Sequence, residues 1–176
     1  MKKVMLLGIN SKFVHTNIAI RYIKKYVEKY SDIEIEIFEK TINNHVEEII
    51  ADIYRKKPEI LMISAYIWNS EYVYKLITEI KKIFKDLTLV LGGPEVSYNA
   101  IELMNKYSEI DYIISGEGEK TTLEFLTKDK KDVKGLYYRE EDKIKFGGIR
   151  EGICDLDEIP FPYEVEEFSE KGKIFY

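Results

Sequence analysis

A chain of 176 residues, 45% hydrophobic and 34% charged, is long enough to bury one sizeable core and has the balance of a globular domain. Its net charge of −5 argues against nucleic acid or an anionic membrane as the main partner. The single cysteine, Cys154, excludes a disulfide framework and a cysteine metal cluster and points to a reducing, cytoplasmic setting; no apolar run approaches membrane-spanning length.

Val4–Gly8 is an unbroken apolar run, the pattern of a parallel strand buried on both faces. After the polar loop Ile9–Thr16, either Thr16 or Asn17 can cap a helix whose apolar positions Ile18, Ile20, Ile23, Tyr26 and Val27 recur at helical spacing. Asp32–Phe38 alternates Ile33, Ile35 and Ile37 with Glu34 and Glu36, which predicts a half-buried strand near a sheet edge. Asn43 or Asn44 opens a helix carrying Val46, Ile49, Ile50 and Ile53, and Pro58 stops it. Ile60–Ile63 predicts a third, buried strand ending at the aromatic loop Ser64–Asn69, after which Asn69 or Ser70 caps a helix reaching about Phe84. Leu87–Leu91 predicts the fourth strand, residues 97–107 a helix, Tyr112–Ile114 the fifth strand, and Gly116–Glu119 leads into a helix ending near Leu126.

Strand and helix thus alternate five times with short connections, which implies a doubly wound α/β fold. A five-stranded parallel sheet in the flavodoxin-like order 2-1-3-4-5 follows, and the alternating second strand suits an edge. Past residue 130 the pattern changes. Residues 133–138 and 143–146 read as a β-hairpin, and Pro160 and Pro162 mark an extended linker. The expected division is a Rossmann-like domain over 1–130, a hairpin appendage over 131–150 and a linker over 151–176. The last stretch has little periodicity, and its apolar end, Ile174-Phe175-Tyr176, reads as the start of another strand, as in a piece of a longer chain.

Four loops should converge on the carboxyl edge of such a sheet, where ligands bind: Ile9–Thr16, Ser64–Asn69, Gly92–Glu95 and Ser115–Glu119. Gly8-Ile9-Asn10 lacks the acidic cluster of a phosphoacceptor domain, and Ser11-Lys12-Phe13 is a poor flavin phosphate loop. Neither a P-loop nor a Gly-x-Gly-x-x-Gly follows the first strand. His15 is a candidate metal ligand or a plain surface histidine, and His45 belongs to a helix start. Glu95, Glu117 and Glu119 read as helix caps rather than acid–base groups, so no catalytic residue is expected. Tyr66 and Trp68 either stack on a flat ligand or cover the sheet edge. Cys154, with no histidine or second cysteine nearby in sequence, reads as buried or incidental.

Three segments carry a resemblance: Leu91–Ser97 (LGGPEVS), Asp111–Glu119 (DYIISGEGE) and Asp155–Tyr163 (DLDEIPFPY). Together, in this order, the sequence resembles the N-terminal cobalamin-binding region of B12-dependent radical SAM proteins, a group with Mg-protoporphyrin ester cyclases and many methyltransferases. The resemblance implies cobalamin as cofactor, its corrin ring over the carboxyl edge and its nucleotide tail threaded beside strands three and four. Contacts would come from Asn10 and His15, from Ser64, Ala65, Tyr66 and Trp68, from Gly92, Gly93, Pro94 and Glu95, and from Ser115, Gly116, Glu117 and Gly118. Corrinoid domains that ligate cobalt carry Asp-x-His-x-x-Gly; Phe13-Val14-His15-Thr16-Asn17-Ile18 has the histidine without its aspartate and glycine, so His15 is expected to border the ring and not ligate cobalt. S-adenosylmethionine and a 4Fe-4S cluster are expected only in a C-terminal radical SAM barrel, the implied partner, which would perform methyl transfer or radical cyclisation. The chain alone would be inactive. A corrinoid-free docking or substrate-recognition domain of the same enzyme type is the alternative.

Overall fold

Seven strands share one sheet in the computed structural model, which describes residues 3–141, 143–164 and 167. In chain order the elements begin with β1 (Val4–Asn10), α1 (Ile18–Tyr30), β2 (Ile35–Thr41), α2 (Val46–Lys56), β3 (Ile60–Ser64) and α3 (Ser70–Ile83). They continue with β4 (Thr88–Gly92), α4 (Pro94–Ser97), α5 (Ala100–Lys106), β5 (Tyr112–Ile114), α6 (Gly118–Thr127), β6 (Leu136–Glu140) and β7 (Lys143–Phe146). The order across the sheet is β2-β1-β3-β4-β5-β6-β7. The first five strands pair in parallel, as alternating βα units require, whereas β6 adds antiparallel to β5 and β7 antiparallel to β6. The doubly wound fold and the 2-1-3-4-5 order are as the sequence pattern predicts, and the hairpin lengthens the sheet.

Both faces of the sheet are buried, so its central strands are apolar throughout; every residue of β1 and β3 is buried. One face packs Leu7, Ile63 and Leu91 against α2, α3 and α5 through Ile49, Ile53, Leu76, Ile77, Ile80 and Met104. The other packs Val4, Leu6, Ile60, Met62, Val90 and Ile114 against α1 and α6 through Ile20, Val27 and Leu123. Register on that second face matters for the site. Leu6, Met62, Val90 and Tyr112 form one row across the strands, and Gly8, Ser64, Gly92 and Ile114 form the next row toward the carboxyl edge. A large-side-chain row followed by one that is mostly small leaves a depression beneath the helices.

Several predicted boundaries move. β2 starts three residues later than the alternation suggests and runs on to Thr41, because parallel pairing with β1 continues to Asn10↔Thr41. Neither Asn43 nor Asn44 caps α2; the Asn44 carboxamide instead accepts bonds from the Thr41 amide at 3.0 Å and hydroxyl at 3.2 Å, closing the turn, and His45 takes the cap position. The helix expected over 97–107 is two pieces interrupted at Tyr98-Asn99. β6 begins at Leu136 because Lys130–Asp132 is a 3₁₀ turn that buries Val133. Cys154 is exposed rather than buried. The proline segment does not swing free: the Tyr163 hydroxyl meets that of Thr16 at 3.0 Å, and the Tyr163 ring lies 5.2 Å from the Arg21 guanidinium. Arg21 also pairs with Glu39 at 2.9 Å and with Glu167. The expectation for residues 165–176 lies outside the described residues, Glu167 apart.

Candidate functional site

A cavity of about 390 Å³ opens at the carboxyl edge between the sheet and helices α1 and α6. Its floor is the two rows just described, Leu6, Met62 and Val90 below Ser64, Gly92 and Ile114. Ala19, Ile20 and Ile23 of α1 form one wall, Gly118, Glu119 and Thr122 of α6 the other, and Tyr66, Gly93, Pro94, Ser97, Tyr98, Gly116 and Glu117 form the rim. The helices approach closely because position 118 has no side chain: a Cβ there would meet Ile23 Cδ1 at 2.8 Å.

The few polar groups in this largely apolar cavity are held in definite ways. The Asn17 carboxamide nitrogen donates to the Ser64 hydroxyl oxygen at 2.8 Å, leaving the hydroxyl proton for an occupant. Burial pushes the Glu119 carboxyl above its ordinary range, a shift that its own amide and that of Gly118 oppose. Glu117 is turned away, its carboxylate accepting the Ile153 amide at 2.8 Å. Thr122 is fully buried, and its hydroxyl has no hydrogen-bond partner among the described residues.

The two glycines after β4 do different work. Gly93 has φ 105° and ψ 169°, a conformation open to glycine alone, and a Cβ there would lie 2.4 Å from the Ala65 carbonyl oxygen. It permits two bonds that join the β3 and β4 loops, Ala65 N–H to the Gly92 carbonyl at 2.7 Å and Glu95 N–H to the Ala65 carbonyl at 3.4 Å. At Gly92 a Cβ would meet nothing nearer than Ile114 at 3.9 Å, so that side of the backbone is open to the cavity.

A shallower cavity of about 500 Å³ lies beside the first, over the ends of β1 and β3, lined by Asn10, His15, Thr16, Asn17, Tyr66 and Trp68 among others. Tyr66 and Trp68 stack with ring centroids 4.4 Å apart. Their loop is held by Asn69, which is 1% exposed and donates to the Ile9 and Ser64 carbonyls at 2.9 and 3.2 Å while accepting the Tyr66 amide at 2.8 Å. Asn69 stands at the cap position of α3, but its side chain serves the loop.

Of the residues singled out from sequence, Ser64, Tyr66, Gly92, Gly93, Pro94, Gly116, Glu117 and Gly118 line the deep cavity, and Asn10, His15 and Trp68 line the shallow one with Tyr66. Ala65, Glu95 and Ser115 line neither; Ala65 is buried, and the Ser115 hydroxyl bonds the Ser97 carbonyl at 3.3 Å. The sequence reading missed the α1 wall, Asn17, Asn69 and Thr122. Helical periodicity gave Ile20 and Ile23 as core positions only, and a threonine inside a helix carries no signal that it faces a cavity. Among the described residues no three His, Cys, Asp or Glu side chains gather as a metal site, and no helix is long and apolar enough to cross a membrane.

A doubly wound sheet with an apolar cavity at its carboxyl edge, where Ser64 and Gly92 present small residues above a row of larger ones, has the architecture in which ligands bind at the strand ends. Residues 4–126 match the B12 binding domain family, and the chain belongs to it. It is 28% identical over 155 residues to an uncharacterized methyltransferase, PH0819, of Pyrococcus horikoshii, covering 82% of this chain and 32% of that protein. It is 26% identical over 133 residues to the cobalamin-dependent radical SAM methyltransferase TokK of Streptomyces tokunonensis, covering 68% of this chain and 20% of that one. Its fold is similar to that of the cobalamin-dependent S-adenosylmethionine radical enzyme OxsB in a structure with aqua-cobalamin and S-adenosylmethionine bound, with a TM-score of 0.77 at 18% identity over 92% of this chain and 24% of OxsB. The chain therefore spans a third or less of the length of these relatives.

Proposed function

We propose that this domain binds cobalamin, base-bearing tail in the deep cavity and ring over the carboxyl edge, as the corrinoid module of a longer radical SAM enzyme that transfers a methyl group or cyclises through a radical. The observation that carries the reading is the slot itself: an apolar cavity beside β3 and β4, open above Gly92 and supplied at its floor with the Ser64 hydroxyl. The donor set fits a corrinoid tail, because a mostly apolar ring needs small residues beneath it and a few fixed polar groups around it. Bound cobalamin would supply a cobalt centre able to carry a methyl group or assist a substrate radical. This chain's residues bind and orient: Gly92 leaves room, Ser64 donates to the tail, and Tyr66 and Trp68 flank the ring. S-adenosylmethionine and an iron–sulfur cluster belong to the partner domain of that longer enzyme.

His15 borders the ring in this reading and leaves cobalt unligated. His15→Ala is expected to keep the bound visible spectrum unchanged; a shift to a water-ligated or five-coordinate form would refute that assignment. A second reading, a corrinoid-free docking domain, draws on the exposed apolar side chains near this edge, Phe13, Ile67 and Tyr98, which are 70%, 80% and 95% exposed. The two readings separate in one experiment. The protein is mixed with hydroxocobalamin or methylcobalamin, desalted and read by visible absorption. Retention near one corrinoid per chain, abolished by Gly92→Trp in a variant that keeps its circular dichroism, supports the corrinoid module; no retention by folded protein favours docking.

A further inference from the structure

Residues 149–164, with Glu167, run over α6 and then α1, the two helices that wall the deep cavity, and hold each at polar points. On α6, Arg150 Nε donates to the Thr121 hydroxyl at 2.7 Å and its Nη2 pairs with Glu124, while the Ile153 amide donates to the Glu117 carboxylate at 2.8 Å. Glu117, Thr121 and Glu124 are spaced to share one stripe of that helix. On α1 the spacing is stricter. Arg21, Lys25 and Lys29 stand one helical repeat apart on one face, and they meet Glu167, Glu164 and the Glu158 carbonyl in reverse order. The segment therefore runs antiparallel to α1, and the Tyr163 hydroxyl fastens it just ahead of that helix, 3.0 Å from the Thr16 hydroxyl.

Little apolar surface holds this segment. Ile149, Leu156 and Phe161 are exposed, and of residues 149–164 only Pro162 and Tyr163 are buried. Breaking contacts made through charged and polar groups exposes little hydrophobic area, and salt weakens them. The helices beneath are packed on the sheet by a different set of side chains, Ile20, Val27 and Leu123. We propose that this segment is a releasable strap tying α6 to α1. Docked, it fixes the separation of the two cavity walls; released, it loosens both helices together while the sheet stays folded. The strap acts in the same way whatever fills the cavity, so its test needs no ligand and stands or falls apart from the corrinoid reading.

Six Gly and Ser residues inserted between Cys154 and Asp155 keep every anchoring residue and roughly double the chain between the Ile153 and Glu158 anchors, which weakens their coupling about threefold. Hydrogen exchange of the full chain, read by mass spectrometry, is expected to quicken roughly threefold in both α1 and α6 and to stay unchanged in α3. Unchanged exchange in both helices, or a rise in one alone, would mean that the two sets of contacts act separately, and overturns the inference. An equal rise in α3 also overturns it, because the whole domain has then loosened. A nitroxide on Cys154, the sole cysteine and an exposed one between the two sets of anchors, reads the strap itself. Its mobile fraction is expected to rise between about 0.05 M and about 1 M NaCl, and to rise in the double variant Arg150→Gln, Tyr163→Phe. Mobility equal in all three samples would show that the segment does not dock, and the strap is then refuted.

Discussion

Adjacent glycines after β4 should respond oppositely to one methyl group. Gly93→Ala forces an L-residue into φ 105°, ψ 169°, a conformation costing about 1–3 kcal/mol, and drives its Cβ to 2.4 Å from a backbone carbonyl that cannot rotate aside. Relief requires the turn to leave Ala65, giving up the bonds at 2.7 and 3.4 Å, each worth about 0.5–1.5 kcal/mol. Together these come to about 2–6 kcal/mol, a large part of the roughly 5–15 kcal/mol that holds a domain folded. Gly92→Ala adds the same methyl where the nearest atom is 3.9 Å away, so its stability should stay within about 0.5–1 kcal/mol of wild type while corrinoid retention falls. Urea unfolding followed by far-UV circular dichroism and by the emission of the sole tryptophan, Trp68, measures both. A Gly93→Ala loss no greater than that of Gly92→Ala would refute the reasoning, because it would mean that the turn relaxes freely and the Ala65 contacts hold nothing.

Asn69→Ala removes three hydrogen bonds and leaves the Ile9 and Ser64 carbonyls and the Tyr66 amide to find other partners; a loss of about 2–4 kcal/mol in urea unfolding is expected, and a loss below about 1 kcal/mol would show the loop to be held otherwise. Tyr163→Phe deletes the hydroxyl that meets Thr16 and should cost about 1 kcal/mol, with unchanged thermal stability as the contrary result. Burial raises the Glu119 carboxyl in the folded state above its unfolded value of about 4.3, so the folded chain holds that proton more tightly and stability falls as pH climbs through the folded value. Glu119→Gln should therefore gain stability over wild type at about pH 7 and lose that advantage near pH 4; an advantage equal at both would contradict the burial argument.

The parallel sheet was legible because strands buried on both faces must be continuously apolar, as Val4–Gly8, Ile60–Ile63 and Leu87–Leu91 are, and because short βα connections leave few topologies. The hairpin was legible as two strands but not as part of the sheet, since pairing of Tyr137 with Ile113 is a contact between segments that local pattern does not encode. Tyr98-Asn99 was read through as helix because neither residue is a strong breaker. At the site, glycine-rich turns announced themselves, whereas the alignment of Gly8, Ser64 and Gly92 in one row exists only once register is fixed. Asn69 looked like an ordinary helix cap, and its inward side chain answers carbonyls on two different strands, one of them sixty residues away.

Strand order has a consequence for the chain as it emerges from the ribosome. β1, β2 and β3 are complete by Ser64 and can pair at once, yet the part of their face carrying Met62 is walled by α6, which begins only at Gly118. At roughly 5–20 residues per second, some 55 further residues leave that apolar surface open for about 3–11 s. The surface around Met62 is thus enclosed only well after the strand that carries it has been made, and the β6–β7 hairpin closes the β5 edge later still.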